Sequence, residues 1–138
     1  MKRPLIISWS QDFSVGVPQL DKDHKQLLHF INTIYANSTA MNSDNIEDLL
    51  SSMIAFSVKH FHNEESYMRR IGFERLAEHK ALHDEFMEKA QQFLNDFRRS
   101  GKRVIGAEVS TFLASWWKDH ILYEDQQYTT AGTSVGPR

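Results

Sequence analysis

At 138 residues the chain has the length of one domain, and a domain of this size buries roughly two thirds of its unfolded surface, enough for a core that needs no staple. It contains no cysteine, which excludes disulfides, thiolate metal sites and iron–sulfur clusters and leaves nitrogen and oxygen as the ligand atoms for any transition metal. The 16 Lys and Arg residues are interspersed with 18 Asp and Glu, for a formal net charge of −2, so no charged footprint marks nucleic acid or anionic lipid as a partner.

Near the start, Leu5, Ile6 and Ile7 form an apolar run too short for a secretory signal or a membrane span, and the protein is expected to be cytoplasmic. Residues 1–19 combine Pro4, Gly16 and Pro18 with scattered Trp9, Phe13, Val15 and Val17. That is the composition of a loop arm with apolar anchors, expected to lie across whatever follows. The first helix should begin near Asp21, with Asp23 in its first turn. Its inner face reads Leu20, His24, Leu27, Leu28, Ile31, Ile34 and Tyr35, and its outer face Lys22, Lys25, Gln26 and Asn32.

After a polar break, Asp44 and Glu47 resemble a capping box that opens a second helix running to about Ile71. Its inner stripe is Leu50, Met53, Ser57, His60, Phe61, Glu64 and Met68. Gly72 interrupts. A third helix from about Glu74 to Arg99 carries Leu76, His79, His83, Phe86, Ala90, Phe93 and Phe97 inward, and Arg98, Arg99 and Gly101 form its stop signal. A fourth, from about Val104 to Tyr128, places Val109, Phe112, Leu113, Trp116 and His120 on one stripe. Helices of ~20 residues span about 30 Å each. Short connections make neighbours antiparallel, so the expected fold is all-α: an up-down-up-down four-helix bundle with an N-terminal loop arm. The domain would fill residues 1–128, with 129–138 a flexible tail.

Five histidines, His24, His60, His79, His83 and His120, thus point inward from all four helices at similar depth. Burying several imidazoles and a carboxylate is costly unless each is paired or coordinated. A metal site answers for all five together. His29 and His62 lie about 140° and about 200° around their helices from His24 and His60 and belong on the surface. Glu64, four residues after His60, shares its face, whereas Glu65 is rotated by about 100° and suits a flanking role. In the fourth helix, simple periodicity favours Glu124, four after His120. Asp125, five after it, would need an irregularity in the helix to reach the same face.

The pattern as a whole resembles the bacterial hemerythrins: Val15-Gly16-Val17, then Leu20-Asp21 and His24, His60-Phe61 with Glu64-Glu65, His79 and His83, and His120-Ile121 with Asp125 and Tyr128. The likeness extends over residues 9–128. It implies a non-haem di-iron centre with His79, His83 and His120 on one iron, His24 and His60 on the other, and Glu64, Asp125 and a hydroxide or oxide bridging both. Here the resemblance selects Asp125 over Glu124, which stays as the alternative. It also implies that dioxygen binds reversibly at the two-histidine iron, in a pocket lined at the positions of Leu27, Phe61, Trp116 and Ile121.

Other chemistries fit less well. Ferritin-like oxygen-activating bundles carry Glu-x-x-His pairs, which this chain lacks, and no separate general acid, general base or organic-substrate pocket stands out. An oxidase or peroxidase is the minor expectation, and sensing through a separate signalling partner another. The expectation is an oxygen carrier, store or delivery protein, not an enzyme, monomeric, with an oxygen-consuming enzyme as its client.

Overall fold

The computed structural model describes residues 7–39, 43–99 and 106–129. Helices α1 (Pro18–Thr39), α2 (Ser43–Arg70), α3 (Leu76–Arg99) and α4 (Gly106–Asp119) follow in chain order, and α4 runs on into a π-helical turn, His120–Asp125. Few residues separate one helix from the next in sequence, and successive helices run antiparallel as an up-down-up-down bundle. Expectations for residues 1–6, for Gly101, for a start of the fourth helix at Val104 and for a tail over 130–138 lie outside the described residues.

The α1 start differs from expectation by three residues. Pro18, whose ring presets a helical φ and whose missing N–H is no loss at this position, opens the helix. Asp21 instead turns back to the arm, accepting hydrogen bonds from Ser14 Oγ (2.6 Å) and Val15 N (2.8 Å). That fold-back needs a left-handed residue, and Gly16 supplies it at φ +74°. At the end of α2, Gly72 (φ +69°) plays the same part. Phe73 N bonds to Met68 O (2.9 Å) and Gly72 N to Arg69 O (3.2 Å), a Schellman closure of the last carbonyls. This turn takes up residues 71–75, and α3 therefore begins at Leu76 rather than Glu74.

Most of the inner stripes of α1 and α2 is as expected: Leu27, Ile31, Ile34, Leu50, Met53 and Met68 are all fully or almost fully buried, whereas Tyr35 is only half-buried. In α3 and α4, Leu76 and Phe112, expected inward, are half-buried as well, and at two places a neighbour takes the buried position. In α3, Leu94 is buried and Phe93 only half-buried, because Leu94 is four residues after Ala90 and three before Phe97, on the buried line. In α4, Trp117 is fully enclosed and Trp116 half-buried, because Trp117 continues the line from Val109 and Leu113. Backbones approach closely between α1 and α2, α2 and α3, and α1 and α4. By contrast, α3 and α4 meet through large rings: Phe86 against Phe112 (5.9 Å) and Trp116 (4.5 Å), and Phe93 against Phe112 (5.3 Å).

The arm lies across the bundle as expected. Ile7 exchanges two hydrogen bonds with the Asn32 side chain (2.8 and 3.0 Å), and Trp9 stacks on Phe13 beneath Lys25. At the other end of the domain's chain, Gln126 donates to Ser14 O (3.1 Å) and Thr129 to Val15 O (3.2 Å). Thr129, expected to begin the tail, is still helical and fastened to the arm. No helix of the described residues is long and apolar enough to cross a membrane.

Truncating Leu50, which has no exposed surface, to alanine should cost about 2–5 kcal/mol in urea unfolding. Val58→Ala, at a side chain 56% exposed on the same helix, should shift stability by no more than about 0.5 kcal/mol. Similar losses for the two would contradict the assigned buried face.

Candidate metal centre

One turn of α1, two of α2, two of α3 and the π-helical turn deliver seven side chains to one enclosed volume. His24, His60, Glu64 and Asp125 have no exposed surface, and His79, His83 and His120 are 3% exposed or less. The i, i+4 spacing puts His60 with Glu64, and His79 with His83, on single faces. Asp125 arrives differently. A π turn pairs residues five apart, and this one spans His120 to Asp125, so the two side chains share a face. Its Oδ1 lies 3.1 Å from His120 Nε2. Glu124, the choice of simple periodicity, is half-buried and faces an outer cavity instead.

The ligand-type atoms divide into two lobes. Glu64 Oε1 lies 3.0 Å from His83 Nε2 and 3.8 Å from His79 Nε2, while Oε2 lies 3.1 Å from His24 Nε2 and 3.3 Å from His60 Nε2. Asp125 spans the same division, with Oδ1 2.9 Å from His79 Nε2 and Oδ2 3.2 Å from His24 Nε2. One lobe thus gathers Glu64, His79, His83, His120 and Asp125, and the other His24, His60 and Glu64. Despite this crowding, His60 Nε2, His79 Nε2, Glu64 Oε1 and both Asp125 oxygens make no hydrogen bond. Buried polar atoms that converge without bonding to one another are what a cation between them would satisfy.

Outside the seven, three groups hold them in place. His60 donates from Nδ1 to Asp23 Oδ2 (3.0 Å), and Asp23 is itself fixed by Gln19 (3.0 Å) and Asn63 (3.4 Å). His83 donates from Nδ1 to Glu65 (2.8 Å), which gives Glu65 the flanking place its rotation suggested. Tyr128 donates its hydroxyl to Glu64 Oε2 (2.8 Å). Each bond to Nδ1 directs Nε2 inward and fixes the tautomer. The role of Asp23 was not readable from spacing, since it depends on how α1 lies against α2. Its one local sign is its place beside an inward histidine.

The electrostatics follow from enclosure. Burial alone would lower the His24 and His79 pKa values, but the close negative charges of Asp125 and Glu64 raise them to about 10 and about 9. His60 is raised for the same reason by Glu64 and Asp23. His120 is lowered, because burial outweighs its carboxylate neighbours. Glu64 is held well below the ordinary carboxylate range, burial being overcome by His60, His24 and His79. Burial and two carboxylate neighbours push the Tyr128 phenol well above its usual value, so it stays a donor. His29 and His62 are exposed, on the surface where their rotation placed them.

Leu27 and Ile121 have no exposed surface. Phe61 stacks on the His83 ring (3.8 Å between centroids, 12°) and on Trp117 (5.4 Å, 17°). Trp116 stacks on His120 (4.3 Å between centroids, 12°), meets Phe61 edge-on (6.1 Å) and also borders the cavity between α3 and α4. Trp117, which the sequence reading passed over, is the inner indole.

Residues 15–131 match the model of the Hemerythrin HHE cation binding domain. The chain belongs to the hemerythrin family. Among hemerythrin relatives, a bacteriohemerythrin of Clostridium acetobutylicum is 30% identical over 125 residues, 87% of this chain and 96% of its own. A hemerythrin-like protein of Naegleria gruberi is 28% identical over 125 residues, 91% of this chain and 92% of its own. The crystal structure of a wild-type hemerythrin superposes with a TM-score of 0.84 at 25% identity, over 94% of this chain and 99% of that one. A hemerythrin domain holds a di-iron centre, and five imidazoles with two carboxylates and no thiolate suit iron in nitrogen and oxygen coordination.

With metal removed by a chelator, protein stability should depend on pH in a definite direction. His24 and His79 have folded pKa values near 10 and 9 against an ordinary 6.5. Their stabilisation is complete below pH 6.5 and is lost as the pH rises through those values. The Tm of the stripped protein should therefore fall steadily from about pH 6.5 to about pH 10. A flat or rising Tm over that range would contradict the assignment.

Proposed function

We propose that this hemerythrin-family chain binds dioxygen reversibly at two irons, with His79, His83 and His120 holding one, His24 and His60 the other, and Glu64 and Asp125 shared. The observation that carries the reading is the pair of carboxylates, each with oxygens facing both lobes and each left with an unbonded buried oxygen. Bound there, the ferrous pair supplies two electrons and a coordination position at which dioxygen can be held. The chain's own part is to fix geometry, exclude water and keep protons where they are needed. Asp23 and Glu65 lock two imidazoles so that the nitrogens facing inward are free of protons. Tyr128 keeps its proton and points it at Glu64, partly neutralising a buried charge. Leu27, Phe61, Trp117 and Ile121 keep the cluster dry, which guards against water and small anions displacing bound oxygen.

Binding without turnover fits the site better than catalysis. Among the described residues, every buried titratable group near the cluster is either one of the seven or is bonded to one of them, which leaves none of these free as an acid or base for an organic substrate. On this reading the chain is a cytoplasmic, monomeric carrier or store that delivers oxygen to a consuming enzyme.

The test is anaerobic reduction of iron-loaded protein, with iron counted per chain, followed by visible spectra through cycles of oxygen addition and removal. Two irons per chain and an absorption band that comes and goes with oxygen are expected. Irreversible oxidation without such a band, or steady oxygen consumption with an organic substrate, would oppose carrying. Substitution separates the two carboxylates of the π turn. Asp125→Ala should lose iron and the oxygen-dependent band, and Glu124→Ala should keep both; the reverse result would reassign the shared ligand.

A further inference from the structure

Between α3 and α4 lies an open cavity of about 430 Å³ that the oxygen chemistry does not use. Its volume is that of a small-molecule site, which typically measures about 300–1,000 Å³. Its walls are Leu82, Phe112, Trp116 and Tyr123, and His120 contributes to its lining. The cavity exists because rings rather than backbone contacts separate these two helices. Tyr123 is 65% exposed and is one of two large exposed apolar side chains among the described residues, the other being Val58.

Two features give this cavity a direction and a charge preference. Trp116 lies parallel to the His120 ring, 4.3 Å between centroids at 12°. The edge of the same imidazole carries Nε2 into the cluster, 3.1 Å from Asp125 Oδ1 and 3.2 Å from His83 Nε2. One indole and one imidazole therefore connect the cavity to the inside of the metal cluster. Asp119 and Glu124 supply the charge at its lining. Neither forms an ion pair with a Lys or Arg among the described residues; Glu124 accepts one hydrogen bond, from Gln127 (3.3 Å). Aromatic faces and unneutralised carboxylates together attract cations and repel phosphates and carboxylates.

We propose that the cavity between α3 and α4 binds a flat aromatic cation, and that a one-electron reductant of this kind delivers electrons to the metal centre through the stacked Trp116 and His120. Electron transfer weakens exponentially with distance through protein, and a ring in contact with a metal-binding imidazole shortens that path. The delivery half rests on the di-iron reading; the binding half does not. Two reductant molecules each lose one electron and together take a diferric pair to diferrous. Each leaves as the cation one charge higher, Trp116 and His120 are unchanged at the end, and no bond is made or broken.

Methyl viologen serves as the probe, its dication for binding and its radical cation for reduction, both on iron-loaded diferric protein at low ionic strength. Calorimetry should show saturable one-to-one binding of the dication. Tyr123→Ala and Asp119→Asn should each weaken it by about three- to tenfold. The rate of reduction by the radical cation should saturate with its concentration, and Trp116→Leu should slow the saturated rate by about tenfold. Reduction by dithionite, a small anion, should change by less than about twofold in the same variant. No one-to-one binding, or binding unchanged in both cavity variants, would overturn the site. Equal slowing with both reductants would overturn the route, because the damage would then be at the centre itself. Fewer than two irons per chain in the unaltered protein would instead remove the di-iron reading, with the binding half still decided by calorimetry.

Discussion

Glu64 is the charge around which the bundle is arranged. It has no exposed surface, and four histidines from three helices, together with the Tyr128 hydroxyl, lie within reach of its two oxygens. A carboxylate taken out of water costs several kcal/mol even after relaxation, and an unpaired one costs more. The surrounding imidazoles offset that cost only by sharing protons or a cation with it. Each helix is constrained by this need: α1 must bring His24, α3 must bring His79 and His83, and the end of α4 must bring Tyr128 over the top. The register of helix against helix is thus set by polar geometry at one level, while the apolar stripes above and below fill in around it.

The same cluster ties folding to metal. Without a cation, imidazole nitrogens face one another at close range, as with His83 and His120 at 3.2 Å between Nε2 atoms, and burial resists every charge that would hold the cluster together. A cation replaces protons as the common partner of the histidines and carboxylates, so metal binding free energy becomes folding free energy. Asp23 and Glu65 matter here because they are outside the cluster yet decide which nitrogen faces it. Fixing the tautomer in advance removes a rearrangement that each metal ion would otherwise have to drive.

Periodicity made most of this legible before any coordinates. His24, His60, Glu64, His79 and His83 sit on regular helices, where the 3.6-residue repeat is reliable, and all five appear on the buried faces it assigns. His29 and His62, rotated away, are exposed as the same rule requires. Asp125 was not readable this way. A π turn changes the repeat to five within one segment, and nothing in the composition of His120-Ile121-Leu122-Tyr123-Glu124-Asp125 announces it; only resemblance to a family pointed to Asp125, the carboxylate that lies in the buried cluster. Which of Trp116 and Trp117 is the enclosed indole was hidden for a related reason. Neighbouring indoles are equally apolar, both meet Phe61, and 100° of rotation decides which is fully enclosed and which borders the outer cavity, a difference smaller than the width of the stripe. Contacts between elements, such as Asp23 on His60, carry no signal within either helix.

The π turn is worth its irregularity because it acts on both sides of α4 at once. An α-helix has no way to place side chains five apart on one line, so His120 and Asp125 could not both face the cluster on a regular backbone. The added residue must go somewhere, and it goes outward: Tyr123 and Glu124 face the cavity between α3 and α4 while His120 and Asp125 close the inside. A change that restored regular helix there would therefore do two things together. It would withdraw a carboxylate from the metal cluster and would rotate the aromatic and acidic lining of the outer cavity. Inner coordination and outer surface are coupled through six residues of backbone, and the ring of His120, in contact with both, is where the coupling is physical rather than merely sequential.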